Sequence, residues 1–85
     1  MAHAIAWTPT AKRALTRLPA KVAVAAAEFI YGPLAQNPAR VGKPLRNELE
    51  GLHSARRGDF RIVYRIDDLV TIVAIGHRAD IYRGR

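Results

Sequence analysis

At 85 residues, the chain has room for one small folded domain spanning 1–85. Hydrophobic residues make up 49% of it, enough for one modest core, and 14 Lys and Arg against 7 Asp and Glu leave a formal charge of +7. The lack of cysteine excludes disulfides and thiolate metal sites, no apolar run reaches transmembrane length, and the charge suits a polyanion or an acidic protein partner.

From His3 to Trp7 the residues alternate loosely, with Ile5 and Trp7 pointing one way, which predicts a short first strand. Thr8 before Pro9 reads as a helix N-cap followed by proline in the first turn. Ala11, Ala14, Leu15 and Leu18 then recur at helical spacing, with Lys12, Arg13 and Arg17 facing out. Pro19 ends this helix and a second begins, with Val22, Ala26, Phe29 and Ile30 as its apolar stripe. The tight connection predicts an antiparallel helix hairpin. Gly32-Pro33 is expected to kink or break the second helix.

Asn37 to Pro44 reads as a loop carrying Arg40 and Lys43, and Leu45 to Gly51 fits either a helical turn or an entry to a sheet. From Leu52 the period changes to two. Strands are expected at about Leu52 to Arg57, Phe60 to Ile66 and Leu69 to His77, joined by turns at Gly58-Asp59 and Asp67-Asp68. The fold class is therefore α+β: an N-terminal strand, a two-helix hairpin, then an antiparallel sheet, in the order β-α-α-β-β-β.

The stretch SARRGDFRIVYRI carries most of the functional information. Folded at Gly58-Asp59, it places Arg56 across from Arg61, on the same side as Arg65. Like charges facing across strands are destabilising, which leaves two readings: a sheet that holds an anion, or three arginines on a solvated sheet face. With Ile66 opposite Leu69, Phe60 falls opposite Ile75 and Ile62 opposite Val73, forming the core face. On the other face Arg61 falls opposite Ala74, Val63 opposite Ile72 and Arg65 opposite Val70, with Arg78 near Gly76. This register predicts a hollow floored by small residues and walled by Arg56, Arg61 and Arg78.

Guanidinium groups hold phosphate through paired donors in fixed geometry. Next to them in sequence come Gly76-His77-Arg78 and Asp80-Ile81-Tyr82. Arg, His and Tyr cover the needs of metal-free RNA cleavage: a proton removed from the 2′-hydroxyl, a proton given to the leaving 5′-oxygen, and charge stabilised on the phosphoryl oxygens. His77 and His53 both alternate onto the core side, His53 opposite Tyr64.

The segments LxGLHSARRGDFRIVYRIDD and IVAIGHRADIY resemble the RelE/ParE family of type II toxin–antitoxin systems. The likeness extends from TPTAKRALTRLP through the NPxxxGKPL loop to GHRADIY, and is strongest to the RelE branch. The resemblance implies an mRNA endonuclease acting in the ribosomal A site, without metal or cofactor, that leaves a 2′,3′-cyclic phosphate. It implies that Arg61 holds the scissile phosphate, that Arg78 serves the transition state or the leaving oxygen, and that Tyr82 stacks on a base and takes part in proton transfer. Arg56, Arg57, Arg65, His77 and Ser54 complete the expected RNA-contacting set.

Where RelE members carry paired lysines on the strand before the turn, this chain has Leu52 and Ser54. The base is then sought among Tyr82, His77 and His53. The spacing from Arg78 to Tyr82 is also shorter than in some members. The implied partners are a cognate RelB-like antitoxin, the ribosome and mRNA, in the cytoplasm, with no membrane and no small-molecule cofactor. Two other functions fit the same residues: a ParE-like inhibitor of DNA gyrase, and a non-catalytic RNA-binding domain.

Overall fold

In the computed structural model, which describes residues 2–46 and 49–77, the helical segments start where the sequence signals them. Strand β1 is Ile5–Trp7 and helix α1 is Pro9–Arg17. Thr8 is extended, and its hydroxyl accepts from the Ala11 amide at 3.1 Å, satisfying one of the free donors of the first turn. Helix α2, Ala20–Phe29, follows Pro19. The chain does not break at Gly32-Pro33. It widens into a π-helical turn, Ile30–Leu34, and the Asn37 amide bonds to the Pro33 carbonyl at 3.0 Å. A wider turn gives the proline ring room that an α-helical turn denies it. It also keeps Ile30 and Leu34, both fully buried, in the core.

The segment expected as a loop is ordered into two pieces. Helix α3 is Pro38–Val41 and strand β2 is Lys43–Pro44. With β3 (His53–Arg57), β4 (Phe60–Ile66) and β5 (Val70–His77), the sheet has five strands in the order β1-β5-β4-β3-β2. β1 runs parallel to β5 and the other neighbours are antiparallel. Among the described residues no helix is long and apolar enough to cross a membrane.

The β3–β4 register is the expected one, with Arg56 opposite Arg61 and His53 opposite Tyr64. The β4–β5 register differs. Ile66 pairs with Val70 rather than Leu69, Arg65 with Thr71 rather than Val70, and Val63 with Ala74 rather than Ile72. Ile62 pairs with Ile75 rather than Val73, Arg61 with Gly76 rather than Ala74, and Phe60 with His77 rather than Ile75.

Two single-residue offsets cause this. The turn takes in Leu69 as well as the two aspartates, and Val73 is a bulge between the Tyr64–Ile72 and Val63–Ala74 pairs. Each offset moves the following residues to the opposite face, so Val70 and Ile72 enter the core, while Ile75, shifted twice, stays in it and Val73 leaves the ladder. Thr8 also secures the bulge: its amide donates to the Ile72 carbonyl at 3.0 Å and its hydroxyl to the Val73 carbonyl at 3.1 Å.

The core lies between one sheet face and the helices, built on Phe29, Ile30, Leu34, Ile62, Tyr64, Val70 and Ile72. The opposite face carries Arg56, Arg61 and Arg65. The bulged register makes a measurable distinction. Ile72→Ala is expected to lower unfolding free energy by about 2–5 kcal/mol. Leu69→Ala, at a position 37% exposed, is expected to cost less than about 1 kcal/mol. Urea denaturation midpoints of the two variants check this; equal losses would contradict the pairing.

Candidate nucleic-acid interface

The hairpin that presents the arginines is set by Gly58, whose φ of 61° lies in the left-handed region that glycine enters without steric penalty. Its carbonyl accepts from Arg56 Nε at 3.3 Å, holding that side chain back toward the turn. Arg61 stands across from Arg56 on β4. Ser54, buried and on the same face, lies one strand step inward. Lys43 on β2 pairs with Ser54 and completes the group. These side chains, with Val41, Gly42, Pro44 and Leu45, line a cavity of about 470 Å³.

The loop that closes this cavity is held from the other side of the sheet. Tyr64 points to the core and is fully buried. Its hydroxyl donates to the Pro38 carbonyl at 2.6 Å. The Gly42 backbone packs directly on that hydroxyl, and a methyl group at position 42 would collide with it and sit 2.8 Å from the Ser54 carbonyl oxygen. Glycine is required here for close approach. The contact allows β2 to turn round the sheet edge and deliver Lys43 to the cavity. Burial pushes the Tyr64 phenol up to about 12, so it remains a donor. His53 stacks on the Tyr64 ring with centroids 5.7 Å apart, and its Nδ1 is buried without a hydrogen-bond partner among the described residues.

The expected site residues divide between the two faces. Ser54, Arg56 and Arg61 meet in the cavity. Arg65 is exposed on the same face, about 13 Å along the strand from Arg61. Arg57 lies on the helix side, its guanidinium 5.4 Å from the centre of the Phe29 ring. His77 also lies on the helix side, paired with Phe60 and lining a separate, mainly apolar cavity of about 500 Å³ with Leu18, Val22 and Phe60. His53 belongs to the packing around Tyr64. Arg78 and Tyr82 lie outside the described residues.

The small residues expected as the floor, Ala74 and Gly76, do not line the cavity, which opens toward β2 instead. Lys43, named from the sequence only as a basic loop residue, is not among the expected site residues. Its neighbours Gly42 and Pro44 read as loop, and only the pairing with Ser54 shows which face it joins.

Chemically, the cavity offers two guanidinium groups and one ammonium beside a serine hydroxyl. That set can bind a phosphodiester through charge-assisted hydrogen bonds. Among the described residues, no cluster of three or more His, Cys, Asp or Glu is placed to hold a metal.

Residues 5–82 match the family model described as the ParE toxin of the type II toxin–antitoxin system, parDE. The chain is 60% identical over 82 residues to Toxin RelE of Mycobacterium tuberculosis, covering 93% of this chain and 84% of that protein. It is 51% identical to Toxin RelG of the same organism, covering 98% and 99%. In three dimensions it superposes on a chain of the M. tuberculosis toxin–antitoxin complex RelBE2 with a TM-score of 0.88. That match has 47% identity and covers 94% of this chain and 95% of the other.

The Tyr64 contact predicts a pH signature. The phenol is raised from 10.0 to about 12 by burial, so its contribution to stability is intact below pH 10 and fades as pH rises through 12. Tyr64→Phe is expected to cost about 1–3 kcal/mol at neutral pH by stripping the Pro38 carbonyl of its donor. Between pH 10 and 12 the gap between wild type and variant is expected to close by about 2 kcal/mol. Denaturation of both proteins across that range is the check, and a constant gap would contradict the assignment.

Proposed function

The chain is a RelE-like toxin of the ParE toxin family of type II toxin–antitoxin systems, and we propose that it acts as a metal-independent endonuclease cutting mRNA on the ribosome. The observation that carries this reading is the convergence of Arg56 and Arg61 on one cavity beside buried Ser54. Facing guanidinium groups repel each other when empty and gain most when a shared anion sits between them.

In the proposed reaction the ribose 2′-oxygen loses its proton and attacks the adjacent phosphorus. The bond to the 5′-oxygen breaks, that oxygen takes up a proton, and a 2′,3′-cyclic phosphate remains. Arg61 and Arg56 hold the non-bridging oxygens and stabilise the charge that grows on them. Arg78 and Tyr82 take the leaving-group and base-stacking roles, and Tyr82 is the favoured proton acceptor. In this reading the residues of one toxin domain over 1–85 carry the chemistry, with the ribosome presenting the mRNA. A cytoplasmic location follows from the ribosomal target. One solved relative is the toxin–antitoxin complex RelBE2, which supports a cognate RelB-like antitoxin as the partner that keeps this chain silent.

The matching family model carries a ParE description, and that favours one alternative, inhibition of DNA gyrase by binding alone. Primer extension on translated mRNA separates the two. Arg61→Ala is expected to reduce ribosome-dependent cleavage by about 100-fold, and Arg61→Lys to recover only part of it, because an ammonium lacks the paired donors. Gyrase supercoiling is expected to proceed unaffected. Inhibited supercoiling with mRNA left whole would reverse the choice.

A further inference from the structure

We infer that Lys43 is the third cation of the phosphodiester site and contacts the RNA backbone beside the phosphate held by Arg61. The inference rests on the proposed reading of the cavity as an RNA site. Three observations carry it. Lys43 pairs with Ser54 across β2 and β3, so its side chain is on the face that bears Arg56 and Arg61. It lines the same cavity as both arginines. The segment that carries it is held in place by specific contacts: Tyr64 reaches from the core to bond Pro38, and Gly42 must lack a side chain for the chain to pass over that hydroxyl.

A surface lysine on a free loop would need none of this. Edge strands often bear lysine to discourage pairing with other chains. That role would be met by Lys43 pointing to either face, whereas here its face is determined by the pairing with Ser54. A flexible ammonium beside two planar guanidinium groups suits a neighbouring phosphate whose position varies with the sugar, since a point charge tolerates many approach directions. Ser54 itself is too short and neutral to supply charge from β3. Lys43 reaches over the same spot from the adjacent strand.

Fluorescence anisotropy with a short 2′-O-methyl RNA oligonucleotide, which lacks the attacking hydroxyl, tests binding without cleavage. Lys43→Ala is expected to weaken binding about 10- to 100-fold, and to flatten the slope of log affinity against log salt by about 0.7, the value for one lost contact to a single strand. Lys43→Arg keeps the charge and is expected to stay near wild type. Lys12→Ala, which removes an equal charge from exposed α1, is expected to leave the slope unchanged.

An unchanged slope in Lys43→Ala, or equal flattening in Lys12→Ala, overturns the inference. Loss in Lys43→Arg as deep as in Lys43→Ala also overturns it, because charge alone would then not be what the position supplies. Ribosome cleavage run in parallel separates the two levels. Wild-type cleavage with Lys43→Ala equally active defeats the role of Lys43 alone. Uncut mRNA with the binding loss intact defeats the endonuclease reading and leaves the phosphate contact standing.

Discussion

One buried hydroxyl ties the core of this protein to its charged face. The Tyr64 ring is part of the apolar centre, while its oxygen ends 2.6 Å from the Pro38 carbonyl, on the segment that bends around the sheet edge. Both groups are buried, so breaking the bond costs more than making it gains: each partner would be left unsatisfied. The short helix α3 and the two-residue strand β2 are too small to hold a shape on their own. They acquire one because Tyr64 anchors their start and because Gly42 lets the backbone close on it. The rear wall of the basic cavity is therefore a product of core packing.

The arginine pair shows the opposite balance. Arg56 and Arg61 face each other across β3 and β4, an arrangement that costs stability in an empty sheet. The cost is bearable because both side chains reach solvent at the tip of a tight hairpin, where charge is screened. A bound anion reverses the sign of the interaction.

The sheet separates two chemistries. On one face a basic cavity gathers Lys43, Ser54, Arg56 and Arg61. On the other, an apolar cavity forms between α2 and the ends of β4 and β5, bordered by His77. Arg57 and His77 follow their strands' alternation to this second face, although neighbouring residues in the sequence belong to the first. In a two-faced sheet, adjacency along the chain is the wrong measure of adjacency in space.

Much of this was open to a reading of the residues alone. Thr8-Pro9 marked the first helix, the period of two after Leu52 marked the strands, and Gly58 with its flanking alternation paired Arg56 with Arg61. These are local effects, decided by capping, steric limits and side-chain direction within a few residues. Three things were decided by tertiary structure. The bulge at Val73 is held by Thr8, sixty-five residues earlier, which bonds its carbonyl. The helix survives Pro33 because a π-turn keeps Ile30 and Leu34 in the core. Lys43 joins the arginines because a tyrosine on a distant strand fixes the path of its loop. For the bulge and for Lys43 the deciding contact is made by residues far apart in sequence, and no local pattern records it.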